Sequence, residues 1–117
     1  LFQLRIYNSY TIERNAKKKL GGMVDKYEIV GQVRVLGAYM AVEFVEDKDS
    51  KAPGHDLCRE VVYAMERKGV VPIYEPAFNW FRPTPALNQP PELFALGCDI
   101  VEECVAEVSR ARAKGVK

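Results

Sequence analysis

The feature that most constrains the fold is one amphipathic segment near the end of the chain. Pro90 and Pro91 open it, and prolines are tolerated in a first helical turn because the N–H groups there have no intrahelical partner. Apolar residues then recur at helical spacing and form one stripe: Leu93, Leu96, Gly97, Ile100, Val101, Cys104, Val105 and Val108. The pattern predicts a C-terminal helix over residues 89–112, whose stripe has to be buried against other elements.

A segment with strand periodicity occupies residues 29–45. Its apolar residues alternate with other residues at period two: Val33, Val35, Met40, Val42 and Phe44. Gly31 and Gly37 interrupt the run, and a residue without Cβ can take positive φ at a bend. We therefore predict two strands, or one strand that bends at Gly37.

The remaining segments complete the pattern. Apolar spacings of three and four predict an N-terminal helix over residues 1–28, weakened at Gly21 and Gly22. These two glycines mark either a break in the helix or a face that another element approaches closely. A second helix is predicted over residues 56–68, with Asp56 as its N-cap and Gly69 in left-handed conformation at its end. Residues 70–84 read as a strand pair, a hairpin-like antiparallel arrangement of 70–74 with 79–84.

This order of elements predicts an α+β fold, in which helices cover a small, mainly antiparallel sheet. The 117 residues predict a single small domain, and the formal net charge of +1 gives no basic footprint for nucleic acid. No apolar run approaches the roughly 20 residues that span a bilayer. Because the first residue is not Met and already reads as helical, we expect the chain to be part of a longer one.

Few residues suggest catalysis or metal binding. The single histidine, His55, follows Pro53-Gly54 and is most simply an exposed residue at a helix start. Cys58, Cys98 and Cys104 fit no zinc spacing and are odd in number, so we interpret them as reduced, buried thiols and expect a cytoplasmic protein. No serine or cysteine has a candidate base near it in sequence, and we predict neither catalytic nor cofactor-binding nor metal-ligating residues.

Arg82 is the candidate binding residue. It stands in FNWFRPTPAL, among Phe78, Trp80 and Phe81, and before two prolines that stiffen the segment. A guanidinium matches a carboxylate with two parallel hydrogen bonds, and apolar walls strengthen such a pair by excluding water. The alternative is a structural arginine, stacked on an aromatic ring or paired with an internal glutamate. Arg34 and Glu43 are interpreted as members of structural ion pairs.

The ordered series of motifs resembles the C-terminal small domain of the class III aminotransferases, the 4-aminobutyrate and ornithine type. The series runs through GQVRVLGAYMAVEFVEDKDSKAP, then ERKGVVPIY, then FRPTPALNQPPELFALGCDIVEECVAEV. The positions that carry the resemblance extend from Gly31 to Leu87: Gly31, Val33, Arg34, Gly37, Glu43, Val45, Gly69, Arg82, Pro85 and Leu87.

The resemblance implies a pyridoxal-phosphate enzyme that moves an amino group from an amino acid or ω-amine to a 2-oxo acid. It implies that Arg82 binds a substrate carboxylate, while the Schiff-base lysine and most cofactor-binding groups lie in a larger domain outside these residues. It also implies a homodimer of the complete enzyme and no activity of this piece alone. The alternative is a stand-alone, non-catalytic α+β module that binds a small anion or a partner chain.

Overall fold

The protein folds into a three-stranded antiparallel sheet with helices packed on one of its faces. The structure is a computed structural model that describes residues 2–85 and 90–115, with side chains from residue 8 onward. The strands lie in the order β1-β2-β3. The predicted α+β class, with helices covering a small antiparallel sheet, is confirmed.

The central element is the hairpin of β1 (Val30–Leu36) and β2 (Tyr39–Phe44). The pairing runs from Leu36 opposite Tyr39 to Val30 opposite Phe44, with a register shift beside Gly31. The turn is made at Gly37, whose φ of 61° lies in the left-handed region that favours glycine. Of the two arrangements left open by the sequence, the structure has two strands.

The predicted N-terminal helix is interrupted. Helix α1 spans Phe2–Lys19, a turn follows, and a short helix α2 spans Met23–Lys26. The interruption contains Gly21 and Gly22, the residues of lowest helix propensity in this segment. The prediction of one helix over residues 1–28 is therefore corrected to two helices.

Helix α3 spans His55–Arg67, and Gly54 rather than Asp56 occupies its N-cap position. Asp56 lies in the first turn, where its carboxylate accepts a hydrogen bond from Arg59 at 2.9 Å. The prediction that Asp56 caps the helix is therefore wrong, because the helix begins one residue earlier. Gly69 takes the left-handed conformation predicted after the helix, with φ 88°.

The predicted strand pair over residues 70–84 is reduced to a single bridge. Backbone N–H groups of Ile73 and Arg82 each donate to the other residue's carbonyl at 2.9 Å. Strand β3 is limited to Trp80–Phe81 and pairs with β2 instead. Pro72 and Pro83 explain this difference, because neither has an N–H group with which to extend the ladder.

Helix α4 spans Pro91–Ala113 and packs against α1 and α3. Its buried face is formed by Phe94, Cys98, Val101, Cys104, Val105 and Val108. Leu93 and Leu96, which the sequence places in the buried stripe, are 53% and 56% exposed. The stripe was therefore placed on the wrong side in the first turns of α4, and the predicted start at residue 89 lies outside the described residues.

The helices and the inner face of the sheet share one hydrophobic core. Its largest fully buried side chains include Phe44, Phe81, Ile12, Leu20, Met40 and Met65. Phe44 and Phe81 stack across β2 and β3 with their ring centroids 5.7 Å apart. Among residues 2–85 and 90–115, no helix combines the length and apolar character that crossing a membrane requires.

Candidate functional site

The face of the sheet turned away from the helices, here called the outer face, carries the candidate site. Side chains alternate along a strand, so residues next to the buried Val42, Phe44 and Phe81 project to the other side. The outer face is defined by Gln32, Arg34, Tyr39, Glu43, Trp80 and Arg82.

Arg82 lies on this face between two aromatic rings. Its guanidinium carbon is 5.3 Å from the centroid of the Tyr39 ring and 5.6 Å from that of Trp80. Its Nη1 donates a hydrogen bond to the Tyr39 hydroxyl. Stacking on two rings attracts the cation to their faces and fixes the plane of the guanidinium. The side chain is therefore half-buried and held in a defined orientation.

The Arg82 guanidinium has no acidic partner within the described part of the chain. The ion pairs there involve Arg34, Arg59 and Arg112, and every one of the others is formed by a lysine. The Nε atom of Arg82 is also buried without a hydrogen-bond partner among these residues. A half-buried positive charge without a counter-ion favours the binding of an anion.

The neighbouring backbone positions Trp80. The Asn79 side-chain Nδ2 donates to the Phe44 carbonyl at 2.9 Å, and the Phe44 N–H donates to the Asn79 carbonyl at 2.8 Å. The Trp80 ring stacks on Phe78 with a centroid distance of 4.4 Å and an angle of 10° between the planes. These contacts attach the segment before Arg82 to β2 and hold the ring on which Arg82 stacks.

Tyr39 is not among the candidate residues predicted from the sequence. The structure brings it to Arg82 across the sheet, because β3 lies beside the strand that Tyr39 begins. The one signal available in the sequence was its position in the alternation, which places Tyr39 on the same side of β2 as Glu43. An aromatic residue with a polar tip on that side is a candidate for contacting an anion.

Glu43 and Arg34 form an ion pair on the outer face, with Arg34 Nη1 3.6 Å from Glu43 Oε1. The same Nη1 donates to Gln32 Oε1 at 3.0 Å. The interpretation of both charged residues as members of structural ion pairs is thus confirmed. Because Arg34 has its own carboxylate partner, it is a poorer candidate than Arg82 for binding an external anion.

His55 and the three cysteines, the other residues considered as candidates, occupy positions that indicate no role in binding. His55 is exposed at the start of α3, as predicted, with its Nε2 3.1 Å from the Ala77 carbonyl oxygen. Cys58, Cys98 and Cys104 are free and buried. Burial raises the pKa of the Cys58 and Cys98 thiols to about 12, which disfavours the reactive thiolate.

Three ion-paired lysines, Lys19, Lys26 and Lys68, do not fit a covalent pyridoxal-phosphate site. Lys19 contacts Asp99 at 2.7 Å and Lys26 contacts Glu102 at 3.0 Å, and these hydrogen bonds raise the pKa of each lysine. The hydrogen bonds that Lys68 donates to the Glu107 and Glu103 carboxylates raise the pKa of Lys68 as well. A lysine that attacks an aldehyde has to be neutral, whereas these contacts favour the charged form. Across the described ranges, no group of three residues is arranged to hold a metal ion.

An apolar cleft of about 380 Å³ begins at the residue that follows Arg82 in sequence, although neither Arg82 nor Tyr39 lines it. It is formed by residues 68–72, residues 83–85 and the first turns of α4, including Leu93 and Leu96. Val71, which also lines it, is 77% exposed. Lys68, which also lines the cleft, is paired with Glu103 and Glu107, so the cleft offers apolar surface without the uncompensated positive charge that distinguishes the outer face.

Sequence comparison relates the chain to two characterised proteins. No protein-family model matches it. It is 31% identical over 97 residues to a leucine/methionine racemase of Thermococcus litoralis, and 30% identical over 95 residues to the 4-aminobutyrate aminotransferase GabT of Escherichia coli. These matches cover 83% and 80% of this chain but only 22% of each relative. The chain thus spans about a fifth of the length of either relative.

Structural comparison gives the same relationship. A transaminase solved with L-ala superposes with a TM-score of 0.82 and 20% identity, over 92% of this chain and 25% of the transaminase. The adenosylmethionine-8-amino-7-oxononanoate aminotransferase of Methanocaldococcus jannaschii has a TM-score of 0.74 and 25% identity, over 88% of this chain and 24% of its own. The resemblance to the class III aminotransferases is thereby confirmed: the chain is a homologue of such proteins and has the fold of a segment that makes up about a quarter of them.

Proposed function

We propose that this chain is the C-terminal small domain of a class III, pyridoxal-phosphate-dependent aminotransferase, and that Arg82 binds the carboxylate of its substrate. The complete enzyme moves an amino group from an amino acid or ω-amine to a 2-oxo acid. It acts in the cytoplasm as a homodimer. The relationship to GabT supports the reaction class, and the geometry of Arg82 supports the role of this domain.

The observation that carries the proposal is the uncompensated charge of Arg82. Its guanidinium lies between the Tyr39 and Trp80 rings, with no carboxylate from residues 8–85 or 90–115 paired to it. Holding such a charge in place costs free energy unless an anion completes the site. A substrate carboxylate supplies that anion through charge-assisted hydrogen bonds.

In this proposal the cofactor belongs to the remainder of the protein. When bound there, pyridoxal phosphate supplies an electron sink for the charge that develops on the substrate carbon. This chain contributes the orientation of the substrate, since Arg82 fixes one end of it. The expectation that the chain alone is inactive comes from the resemblance, and the ion pairs of Lys19, Lys26 and Lys68 make these three poor candidates for the Schiff base.

A second candidate reaction is racemisation of an amino acid, which the relationship to the leucine/methionine racemase favours. Both reactions use an amino acid, so the proposed role of Arg82 is the same in each. They differ in the need for a 2-oxo acid, because a racemase inverts one carbon and needs no amino acceptor. Consumption of a 2-oxo acid in step with the amino donor supports the aminotransferase, and loss of optical activity without it supports the racemase.

The role of Arg82 is tested in the complete protein with matched substrates. We compare 4-aminobutyrate with propylamine, and L-leucine with 3-methylbutylamine, because each amine lacks only the carboxylate. Arg82→Lys keeps the charge but loses the two-pronged geometry, so we expect KM for the acid to rise roughly tenfold. Arg82→Gln removes the charge as well and is expected to raise it roughly a hundredfold.

The control for this experiment is Arg59→Lys on α3. Arg59 is exposed and pairs with Asp56, so the same substitution there should leave the KM values for both substrates unchanged. Propylamine and 3-methylbutylamine should be insensitive to either Arg82 variant. An unchanged KM for the acid in Arg82→Gln would remove the carboxylate assignment, and activity on the amines alone would do the same.

A further inference from the structure

The Tyr39 hydroxyl is placed to do more than support Arg82. It accepts a hydrogen bond from Arg82 Nη1, and a phenolic oxygen that accepts a bond still carries its own O–H donor. A guanidinium has five N–H donors, and only one of those of Arg82 is used in this contact. The two side chains therefore present an O–H group and several N–H groups in the same place.

The backbone around Tyr39 is fixed, whereas its side chain is accessible. Tyr39 is the first residue of β2 and pairs with Leu36, directly after the turn at Gly37. The Gly37 N–H donates to the Glu13 carboxylate at 3.1 Å, which attaches this turn to α1. The Tyr39 residue is nevertheless 62% exposed. A ligand can thus reach a hydroxyl whose position is set by the hairpin.

The two rings that flank Arg82 have different functions in this arrangement. Trp80 contacts the guanidinium and is stacked on Phe78, so it offers a ring face and no hydroxyl. Tyr39 offers a ring face and a hydroxyl to the same guanidinium. Trp80 therefore orients Arg82, and Tyr39 both orients it and adds a hydrogen-bonding group beside it.

We propose that Tyr39 is a second carboxylate-binding residue, whose O–H donates to the same carboxylate that Arg82 binds. The inference rests on the function proposed above, and it names the residue that sets the preference of this site for acids over amines. One carboxylate has two oxygens, so it can accept from the Arg82 guanidinium and from the Tyr39 hydroxyl together. The matched amine has no carboxylate and can accept from neither residue.

The test uses Tyr39→Phe in the complete protein, because this variant keeps the ring against Arg82 and removes only the hydroxyl. We expect KM for 4-aminobutyrate or L-leucine, whichever is the better donor, to rise roughly tenfold, as for the loss of one hydrogen bond to a charged group. The KM for the matched amine and kcat for both should not change. Tyr10→Phe on α1 is the control, since it removes a 68% exposed phenol from the helical layer.

The inhibition constant of an acid that cannot react complements the KM measurement. Butyrate carries the carboxylate without an amino group, so its competitive inhibition constant reports binding without turnover. We expect this constant to rise roughly tenfold in Tyr39→Phe and to be unchanged in Tyr10→Phe. In the Arg82→Gln background Tyr39→Phe should add much less, because the two residues bind one carboxylate and their effects are then not additive.

The outcomes separate this inference from the proposed function. If Arg82→Gln weakens acid binding and Tyr39→Phe does not, the hydroxyl only supports Arg82 and the inference is overturned, while the proposed function stands. If Tyr39→Phe weakens the binding of acid and amine equally, its effect is structural and the inference fails as well. If Arg82→Gln has no effect on the acid, the proposed function and the inference both fail.

Discussion

Glu13 connects the helical layer to the strand that carries Tyr39. Its carboxylate pairs with Lys17 at 2.8 Å within α1 and accepts a hydrogen bond from the Gly37 N–H at 3.1 Å. A Cβ at Gly37 would lie 3.0 Å from the Ser9 hydroxyl oxygen, so the turn also packs closely on α1. The conformation of this turn places Tyr39, and a single acidic residue on a different element helps to fix it.

This connection predicts a pH dependence of stability. The hydrogen bond from Lys17 is the largest cause that lowers the pKa of Glu13 below its ordinary value of 4.5. A depressed folded-state pKa stabilises the fold above the unfolded-state value, and this contribution is lost as pH falls through the folded-state pKa. We therefore expect the thermal midpoint of the wild type to fall more steeply than that of Glu13→Gln when the pH decreases from 5 to 3.

Circular dichroism melts at several pH values measure this difference. Glu28→Gln is the control, because Glu28 is exposed and has no side-chain ion pair among the described residues. It should retain the pH dependence of the wild type. Parallel curves for wild type and Glu13→Gln would show that the carboxylate does not stabilise the turn.

At the scale of elements, the sequence predicted the helices and strands that have strong periodicity. It did not predict where proline ends a strand or which side of a helix is covered by distant elements. The hairpin, α3 and α4 follow from the apolar pattern of their own residues. The strand at residues 70–74 does not form, because Pro72 lacks the N–H group that a ladder needs. Leu93 and Leu96 fit the stripe of α4 by spacing, but which side of a helix is covered depends on the elements that pack on it.

The candidate site was predicted only in part, because it too depends on contacts between residues that are distant in sequence. Arg82 stood out because its neighbours in sequence are aromatic and proline residues, a local signal. Its contact with Tyr39 joins residues 43 positions apart through the order of the strands, and no local pattern encodes that order. The absence of an acidic partner within the described ranges likewise depends on which side chains the fold brings to the outer face.

Two glycines in different elements should respond oppositely to substitution by alanine. At Gly31, beside the register shift in β1, a Cβ would lie 2.6 Å from Val45 Cγ1, so Val45 or the strand has to move. We expect Gly31→Ala to lower the free energy of unfolding by roughly 1–3 kcal/mol. At Gly97 in α4 nothing lies within 4 Å of a Cβ, so Gly97→Ala should raise it by roughly 0.5–1 kcal/mol.

Denaturant unfolding measures both effects, provided that the dependence of the free energy of unfolding on denaturant concentration is the same in each variant. The double variant Gly31→Ala/Val45→Ala removes the methyl group that the new Cβ meets, so the destabilisation should be less than the sum of the two single changes. If the effects of the two substitutions are additive, the destabilisation by Gly31→Ala does not arise from the contact with Val45. A destabilised Gly97→Ala would contradict the open space described beside α4.

At the scale of the whole molecule, the core joins every layer of the fold. Helix α1 contributes Ile12, the sheet contributes Phe44 and Phe81, and α3 and α4 contribute buried cysteines to the same cluster. With a single shared core, none of these elements can be exposed without disrupting the packing of the others. Cooperative unfolding of the chain as one unit follows from this arrangement.

The three thiols test that cooperativity, because they are 0–2% exposed and lie on two helices of this one core. At pH 8 the Cys58 and Cys98 thiols, whose pKa burial raises to about 12, are ionised to only about one part in ten thousand, and burial raises the pKa of Cys104 as well. Labelling by a disulfide reagent therefore requires opening of the core. We expect Cys58, Cys98 and Cys104 to react together, at least about a thousandfold more slowly than in the denatured chain.

The matched control is Ser50→Cys, in the exposed loop after β2, which should be labelled at the rate of a free thiol. Guanidinium chloride should make all three native thiols react at once. Rapid labelling of Cys98 alone would show that α4 opens independently beside its apolar cleft. If all three react rapidly without denaturant, the core is not stably packed in this chain alone. Its packing then depends on the remainder of the larger protein proposed here.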